Sequence, residues 1–368
     1  MQKTKKNKIK LLIIDDSALI RQTITKLLSD SLFVQVIGTA YDPFNAVEKI
    51  HLLKPDIILL DIHMPGMDGL TFLQKLIKSH PIPVIIFSSY ASQNSYNAIK
   101  GLEIGAIEII EKPKFTTYSE LSKYKNRLEE AIITAYKSKY NLNKDFSDFY
   151  LTKEKSNTQP FTLASHIDPY NFVIAIGAST GGTEAIKIIL ENMPAYFPPI
   201  VITQHMPVNF TKSFANRLDV ISSLIVKEAH DNEPLRPGFA YIAKGDRHLT
   251  IINRNKKFFL RLLDTPPINK HKPSVDVLFH SVAENFGKNA IGIILTGMGN
   301  DGAQGLKMMK DKGAYTIAQN EDTCIVFGMP RVAIELKAVD KILPVYEITS
   351  HLKQLLGSQN KNKTSTHC

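Results

Sequence analysis

Short apolar runs recur along the chain, each followed by a polar or glycine-rich turn and then a stretch of helical periodicity. Over residues 9–138 the runs Leu11–Ile14, Val34–Ile37, Ile57–Leu60, Val84–Phe87 and Ile107–Ile110 read as buried strands. Between them, Leu19–Leu28, Pro43–Leu53, Gly69–Lys78 and Asn94–Glu103 carry apolar residues at helical spacing. Leu121, Tyr124, Leu128, Ile132 and Tyr136 continue that spacing after the last strand. Five β-α units predict a doubly wound parallel sheet with helices on both faces.

A second alternation begins at Asn171. Phe172–Ile176, Pro199–Thr203, Leu224–Lys227, Phe239–Ile242, Ala290–Leu295 and Tyr315–Ala318 read as strands. Thr183–Leu190, Phe210–Leu218, Val275–Phe286, Gly305–Lys312, Pro330–Leu336 and Ile348–Leu356 read as helices. Leu249–Ile252 and Phe258–Leu263 pair as a hairpin across Asn253–Lys257. The expected fold is therefore α/β: two doubly wound parallel-sheet domains, at 9–138 and 170–356. A linker at 139–169 joins them, and a polar basic tail at 357–368 follows. The linker mixes Lys, Ser, Asn, Asp and Thr with weak apolar periodicity and a break at Pro160, as a hinged connection would. Its aromatics Phe146, Phe149 and Tyr150 exceed what a spacer needs and read as packing residues.

Composition narrows the setting. At 368 residues with 43 % hydrophobic positions, the chain can build two real cores. The net charge of +10 raises the question of nucleic acid. Yet Lys is dispersed, with runs only at Lys3–Lys10, Lys137–Lys155 and the tail, so nucleic-acid binding is not expected. Cys324 and Cys368 form no CxxC pair, which argues against a disulfide framework or a zinc site and fits a reducing cytosol. No apolar run approaches the roughly 20 residues needed to cross a bilayer. The expectation is a cytoplasmic protein without stable membrane insertion.

The chemistry sits at strand ends. In the first domain Asp15, Asp16, Asp61, Ser88 and Lys112 all fall at the carboxyl ends of strands, the edge where open α/β sheets bind ligands. Three carboxylates meeting there repel one another unless a cation joins them, and hard oxygen ligands suit Mg²⁺. An unprotonated Asp in such a site can act as nucleophile towards phosphorus. Asp15-Asp16, the stretch LLDIHMPGMDG at 59–69, Ser88 and Lys112-Pro113 together resemble a response-regulator receiver domain. The resemblance implies a flavodoxin-like fold, Asp61 as phospho-acceptor and a histidine kinase as phosphodonor. It also implies Asp15, Asp16 and Asp61 as the Mg²⁺ site, Ser88 as switch hydroxyl and Lys112 as charge partner. One departure stands out: Ile109 occupies the position where many receivers carry an aromatic switch residue.

In the second domain NFVIAIGASTGG (171–182) places Ser179 on a strand-to-helix turn between glycines. The turn fits G-x-S-x-G, and the helix behind it offers free N–H groups. Read alone, it is equally a glycine-rich turn with a capping hydroxyl. His205 and Asp301 also follow strands, and Ser, His and carboxylate are the parts of a covalent hydrolase. Their order, Ser…His…Asp, differs from the Ser…Asp…His of an α/β-hydrolase, so that fold is not assigned. His230, His248, His271 and His280 compete for the role of base; His248, in a turn after Gly245-Asp246-Arg247, is the best of them.

GASTGG (177–182), QHMP (204–207), GDRH (245–248), PSVDVLF (273–279), LTGMGNDG (295–302) and QNEDTCIVFGMP (319–330) resemble the methylesterase domain of the chemotaxis protein-glutamate methylesterases, CheB. The resemblance implies a Rossmann-like catalytic domain with Ser179 as nucleophile, His205 as base and Asp301 as orienting carboxylate. Met298 and Thr180 would hold the oxyanion and substrate. The implied substrate is a glutamate methyl ester on a methyl-accepting chemoreceptor, with receptor glutamine amides as a second substrate. No cofactor is expected for ester hydrolysis, and the protein is expected to be a monomer. Two rivals keep the receiver: a phospho-regulated DNA-binding regulator and a catalytically silent receptor-binding adaptor. A nucleotide-binding oxidoreductase fits less well, because GASTGG lacks the G-x-G-x-x-G spacing.

Overall fold

The computed structural model describes residues 8–64, 69–89, 92–113, 118–138 and 161–358. Phe146, Phe149, Tyr150 and the tail from residue 359 lie outside the described residues.

The first domain runs β1 (Ile9–Ile14), α1 (Ala18–Leu27), β2 (Val34–Ala40), α2 (Pro43–Leu53), β3 (Ile57–Asp61), α3 (Gly69–Ser79), β4 (Val84–Ser88), α4 (Ser92–Ile104), β5 (Glu108–Glu111) and α5 (Tyr118–Ser138). Its five strands are parallel in the order β2-β1-β3-β4-β5. The continuous apolar runs follow from helices on both faces, because alternate side chains of a strand point to opposite sides. Leu12, Ile14, Ile58, Leu60 and Ile86 pack with residues of α2, α3 and α4. Leu11, Ile13, Ile57, Leu59, Ile85 and Phe87 pack with Ile24 of α1 and with Leu128, Ile132 and Ala135 of α5. Local signals start the helices: Ser17 caps α1 through Ile20 N–H, and Asp42 caps α2, with Pro43 in its first turn.

The second domain runs β6 (Val173–Ala178), α6 (Gly182–Glu191), β7 (Ile200–Gln204), α7 (Val208–Ile221), β8 (Ile225–Glu228), β9 (Phe239–Ile242), β10 (His248–Arg254), β11 (Lys257–Leu263), α8 (Val275–Phe286), β12 (Ala290–Ile294), α9 (Ala303–Asp311), β13 (Tyr315–Gln319), α10 (Met329–Glu335), β14 (Lys341–Leu343) and α11 (Val345–Leu356). Seven strands form a parallel sheet in the order β14-β13-β12-β6-β7-β9-β8. The expected hairpin is present as the antiparallel pair β10-β11, separate from the main sheet. Strand order reverses between β12 and β6, which opens a crevice at their carboxyl ends. Ahead of β6, residues 161–168 already lie on this domain. Ala164 N–H donates to Leu356 O at 2.8 Å, and the Phe161 ring lies 5.2 Å from that of Phe197.

The domains meet through α4, β5 and α5 of the first and the crevice side of the second. Arg217 on α7 donates to both oxygens of Glu103 on α4, at 2.6 and 3.1 Å. Lys270 reaches Glu130 on α5 at 2.7 Å. Thr134 on α5 contacts the Met298 sulfur, and Thr180 donates to Glu108 on β5 at 3.1 Å.

Candidate active site

The carboxyl edge of the first sheet gathers the acidic cluster. Asp15 follows β1, Asp61 closes β3, and Asp15, Asp16 and Asp61 offer oxygens within 4.8 Å of one another. Asp15 and Asp61 are buried, Asp16 exposed. Lys112, just past β5, places Nζ 2.7 Å from Asp15 Oδ2 and 2.6 Å from Asp61 Oδ2. Asp61 Oδ1 accepts from His63 N–H at 2.9 Å. Burial pushes the Asp61 pKa up against the pull of Lys112. Burial would lower that of Lys112, but Asp61 and Asp15 outweigh it and the net shift is upward. Ser88 is fully buried at the end of β4, and its carbonyl accepts from Lys112 N–H at 2.8 Å. Three carboxylates against one ammonium leave negative charge unbalanced, so the donor set fits a divalent oxygen-seeking cation.

The crevice of the second domain gathers the other group. Ser179 follows β6, His205 follows β7, and Asp301 lies in the loop after β12. The turn that presents Ser179 is set by close approaches. Gly181 has φ of +77°, in the left-handed region that glycine favours. A Cβ on Gly297 would come within 2.6 Å of Ser179 Cβ and 2.3 Å of Met329 Sδ, so only glycine fits beside the serine. Buried Gln204 fixes the same turn, its Nε2 donating to Ser179 O at 2.9 Å and to His205 O at 3.2 Å.

His205 is oriented from one side. Its Nε2 lies 2.8 Å from Asp301 Oδ2, and the carboxylate, an acceptor, leaves the lone pair on Nδ1. Nδ1 is buried and makes no hydrogen bond among the described residues. Ser179, His205, Thr180 and Gly181 line one crevice; no hydrogen bond joins Ser179 to His205 in this closed arrangement. The His271 ring stacks on that of His205, 3.6 Å centroid to centroid and within 8° of parallel.

Asp301 is held by an anion cradle. Val275 and Asp276 N–H groups at the start of α8 donate to it at 2.7 and 3.3 Å, and Ser274 Oγ and Asn269 Nδ2 at 2.7 and 2.9 Å. A helix N-terminus stabilises a carboxylate in this way. Burial pushes the Asp301 pKa up, but His205, Asn269 and Ser274 outweigh it and hold the carboxyl well below its usual range. Thr180 lines the crevice and Met298 follows Gly297, which packs against Ser179; the backbone N–H groups of both donate to nothing among the described residues.

The structure thus brings Ser179, Thr180 and His205 to one crevice, with Asp301 bonded to His205 and Met298 following Gly297 beside Ser179, and Asp15, Asp16, Asp61, Ser88 and Lys112 to one sheet edge. His248 is spent structurally: its Nδ1 accepts from Ser274 N–H at 3.1 Å and its Nε2 meets Pro266 O at 3.1 Å. Asn269, Ser274 and Gln204 were not singled out from the sequence. PSVDVLF, with Ser274 at the helix start, was the one signal for the cradle.

His271 makes a pH prediction. Burial pushes its pKa from 6.5 down to about 3. The unfolded imidazole binds a proton that the folded one excludes, so stability falls as pH drops from about 6.5 towards 3. Thermal unfolding between pH 7 and 4 should show this decline, and His271→Gln should make it shallower. An unchanged slope contradicts the assignment.

The family model for the CheB methylesterase matches residues 174–352, and that for the response regulator receiver domain matches 11–124. A protein-glutamate methylesterase/protein-glutamine glutaminase of Geobacter metallireducens is 45 % identical over 360 residues, covering 95 % of this chain and 99 % of the relative. One from Salmonella typhimurium is 42 % identical over 347 residues, covering 94 % and 96 %. The Thermotoga maritima CheB methylesterase catalytic domain superposes with a TM-score of 0.50 at 46 % identity, covering 50 % of this chain and 98 % of that domain. Fold and family matches define a receiver domain joined to a parallel-sheet α/β methylesterase domain. The chain belongs to the protein-glutamate methylesterase/protein-glutamine glutaminase (CheB) family.

Proposed function

We propose that this protein hydrolyses glutamate γ-methyl esters on the cytoplasmic helices of a methyl-accepting chemoreceptor, with methanol as product, under control of its receiver. The observation that carries this reading is the fixed imidazole of His205. Asp301 takes up Nε2, and Nδ1 stays buried with its lone pair free in the crevice that Ser179 lines.

Ser179 Oγ attacks the ester carbonyl as His205 Nδ1 takes its proton, and Asp301 stabilises the imidazolium. The free N–H groups at Thr180 and Met298 suit the oxyanion. The proton returns to the departing methoxide, and water then cleaves the acyl-enzyme by the same route. A glutamine amide passes through the same tetrahedral state with ammonia leaving, the second activity carried in the relatives' name. These steps use side chains and backbone only.

In the receiver, Asp61 accepts a phosphoryl group from a histidine kinase. Asp15, Asp16 and Asp61 would hold Mg²⁺, which neutralises charge on the phosphoryl oxygens. Lys112 pairs with the added charge, and Ser88 offers a hydroxyl to it. The unphosphorylated receiver covers the crevice, through Glu108 on Thr180 and Thr134 on Met298. Strand β5 connects the two sites, with Lys112 beside Asp61 past one end and Glu108 in the crevice at the other. Ile109, buried where an aromatic switch was absent from the sequence, lines the same crevice. A monomer in the cytoplasm suits this arrangement, since one chain holds both switch and site. No helix among the described residues is long and apolar enough to cross a membrane.

Asp61→Asn tests the switch. The variant should keep the basal rate of methanol release and lose the rise produced by a phosphodonor. A phosphodonor response equal to wild type contradicts the role of Asp61.

A further inference from the structure

We propose that Glu108 of the receiver is an internal stand-in for the reaction product, seated on the Thr180 hydroxyl in the crevice that receives the substrate's glutamyl side chain. The inference rests on the esterase reading and adds to it the location of the subsite and its resting occupant.

The product of the hydrolysis is a free glutamate side chain. Among the receiver residues that line the crevice, beside Ile109 and Arg127, stands a glutamate. Glu108 lines it together with Ser179, Thr180, Gly181 and His205. Its Oε2 accepts from Thr180 Oγ1 at 3.1 Å, next to the nucleophile in sequence. Among the described residues, the other charged contacts between the domains use ordinary partners: Arg217 with Glu103, and Lys270 with Glu130. Both lie on the rim and would hold two surfaces together whatever the crevice binds. Glu108 instead meets a neutral hydroxyl beside Ser179. Burial pushes its pKa up, while Arg127 on α5, the Thr180 bond and His205 favour the carboxylate. A glutamyl product would meet the same Thr180 hydroxyl and the same imidazole. It would not meet Arg127, which leaves with the receiver.

A ligand-like seat and a charge latch make opposite predictions for substitutions at this position. A seat built for the glutamyl chain reads length and an acceptor oxygen, since the family's substrates are esters and amides. A latch reads charge. The test uses the full chain, methylated receptor in membranes, and acetyl phosphate as phosphodonor. Without phosphodonor, Glu108→Asp and Glu108→Ala should each raise methanol release on the order of tenfold, because neither reaches Thr180. Glu108→Gln should stay within about twofold of wild type, its amide oxygen accepting the same bond at the same length. With acetyl phosphate, all variants should converge on the stimulated wild-type rate, which also shows that they fold. If Glu108→Asp stays repressed while Glu108→Gln is released, Glu108 is a charge latch and the proposal fails. Equal basal rates for all variants overturn it too. Absence of Ser179-dependent release from every variant in both conditions overturns the esterase reading itself, and this proposal with it.

Discussion

Ser179→Ala should lower methanol release from methylated receptor by a factor on the order of 10⁶, the size of the loss when a serine nucleophile is removed from a catalytic triad. The effect should be chemical and not structural. The turn around Ser179 is fixed by Gln204, by the close approach of Gly297 and by Ser179 N–H donating to Thr296 O at 3.0 Å. None of these uses the Ser179 hydroxyl, and alanine keeps the Cβ. Thermal unfolding of the variant should therefore match wild type while its activity disappears. A rate within tenfold of wild type would remove Ser179 from the chemistry.

Asp301→Asn should cost on the order of 10⁴ in rate, less than loss of the nucleophile. The carboxylate accepts from His205, Asn269, Ser274, Val275 and Asp276, all of them donors. An amide supplies one acceptor oxygen and turns an NH₂ towards donors on the other side. If that NH₂ faces Nε2, the proton moves to Nδ1 and His205 is no longer a base towards Ser179. The negative charge at the start of α8 is lost as well. Unlike Ser179→Ala, this variant should unfold more easily, by about 2 kcal/mol, because buried donors lose their partner. A silent effect on both activity and unfolding would contradict the cradle as the device that orients His205.

The strands were legible because a run buried on both faces stays apolar throughout, as Leu11–Ile14, Ile57–Leu60 and Ala290–Ile294 show. Strand β14 was not: it spans Lys341–Leu343, and of its residues only Leu343 is buried. Ser179, His205 and Asp301 could be found because each follows a recognisable strand, and strand ends are where such folds bind ligands. The cradle was less visible, since Asn269 and Ser274 meet Asp301 across some thirty positions of sequence and carry no periodic signal. In the sequence His271 is one of several histidines that could serve as base. Its stacking on His205 depends on the turn through Asn269 and Lys270, both at positive φ. Glu108 could not be found at all from the sequence, because its partner Thr180 belongs to the other domain and only docking brings them together.

The most direct test of the account is methanol release from methylated receptor by the full chain, with and without acetyl phosphate, for wild type and Ser179→Ala in parallel. The account predicts a basal wild-type rate that rises when the phosphodonor is added, and no release from Ser179→Ala in either condition. A wild-type rate unchanged by phosphodonor, or release by Ser179→Ala that follows wild type, would contradict it.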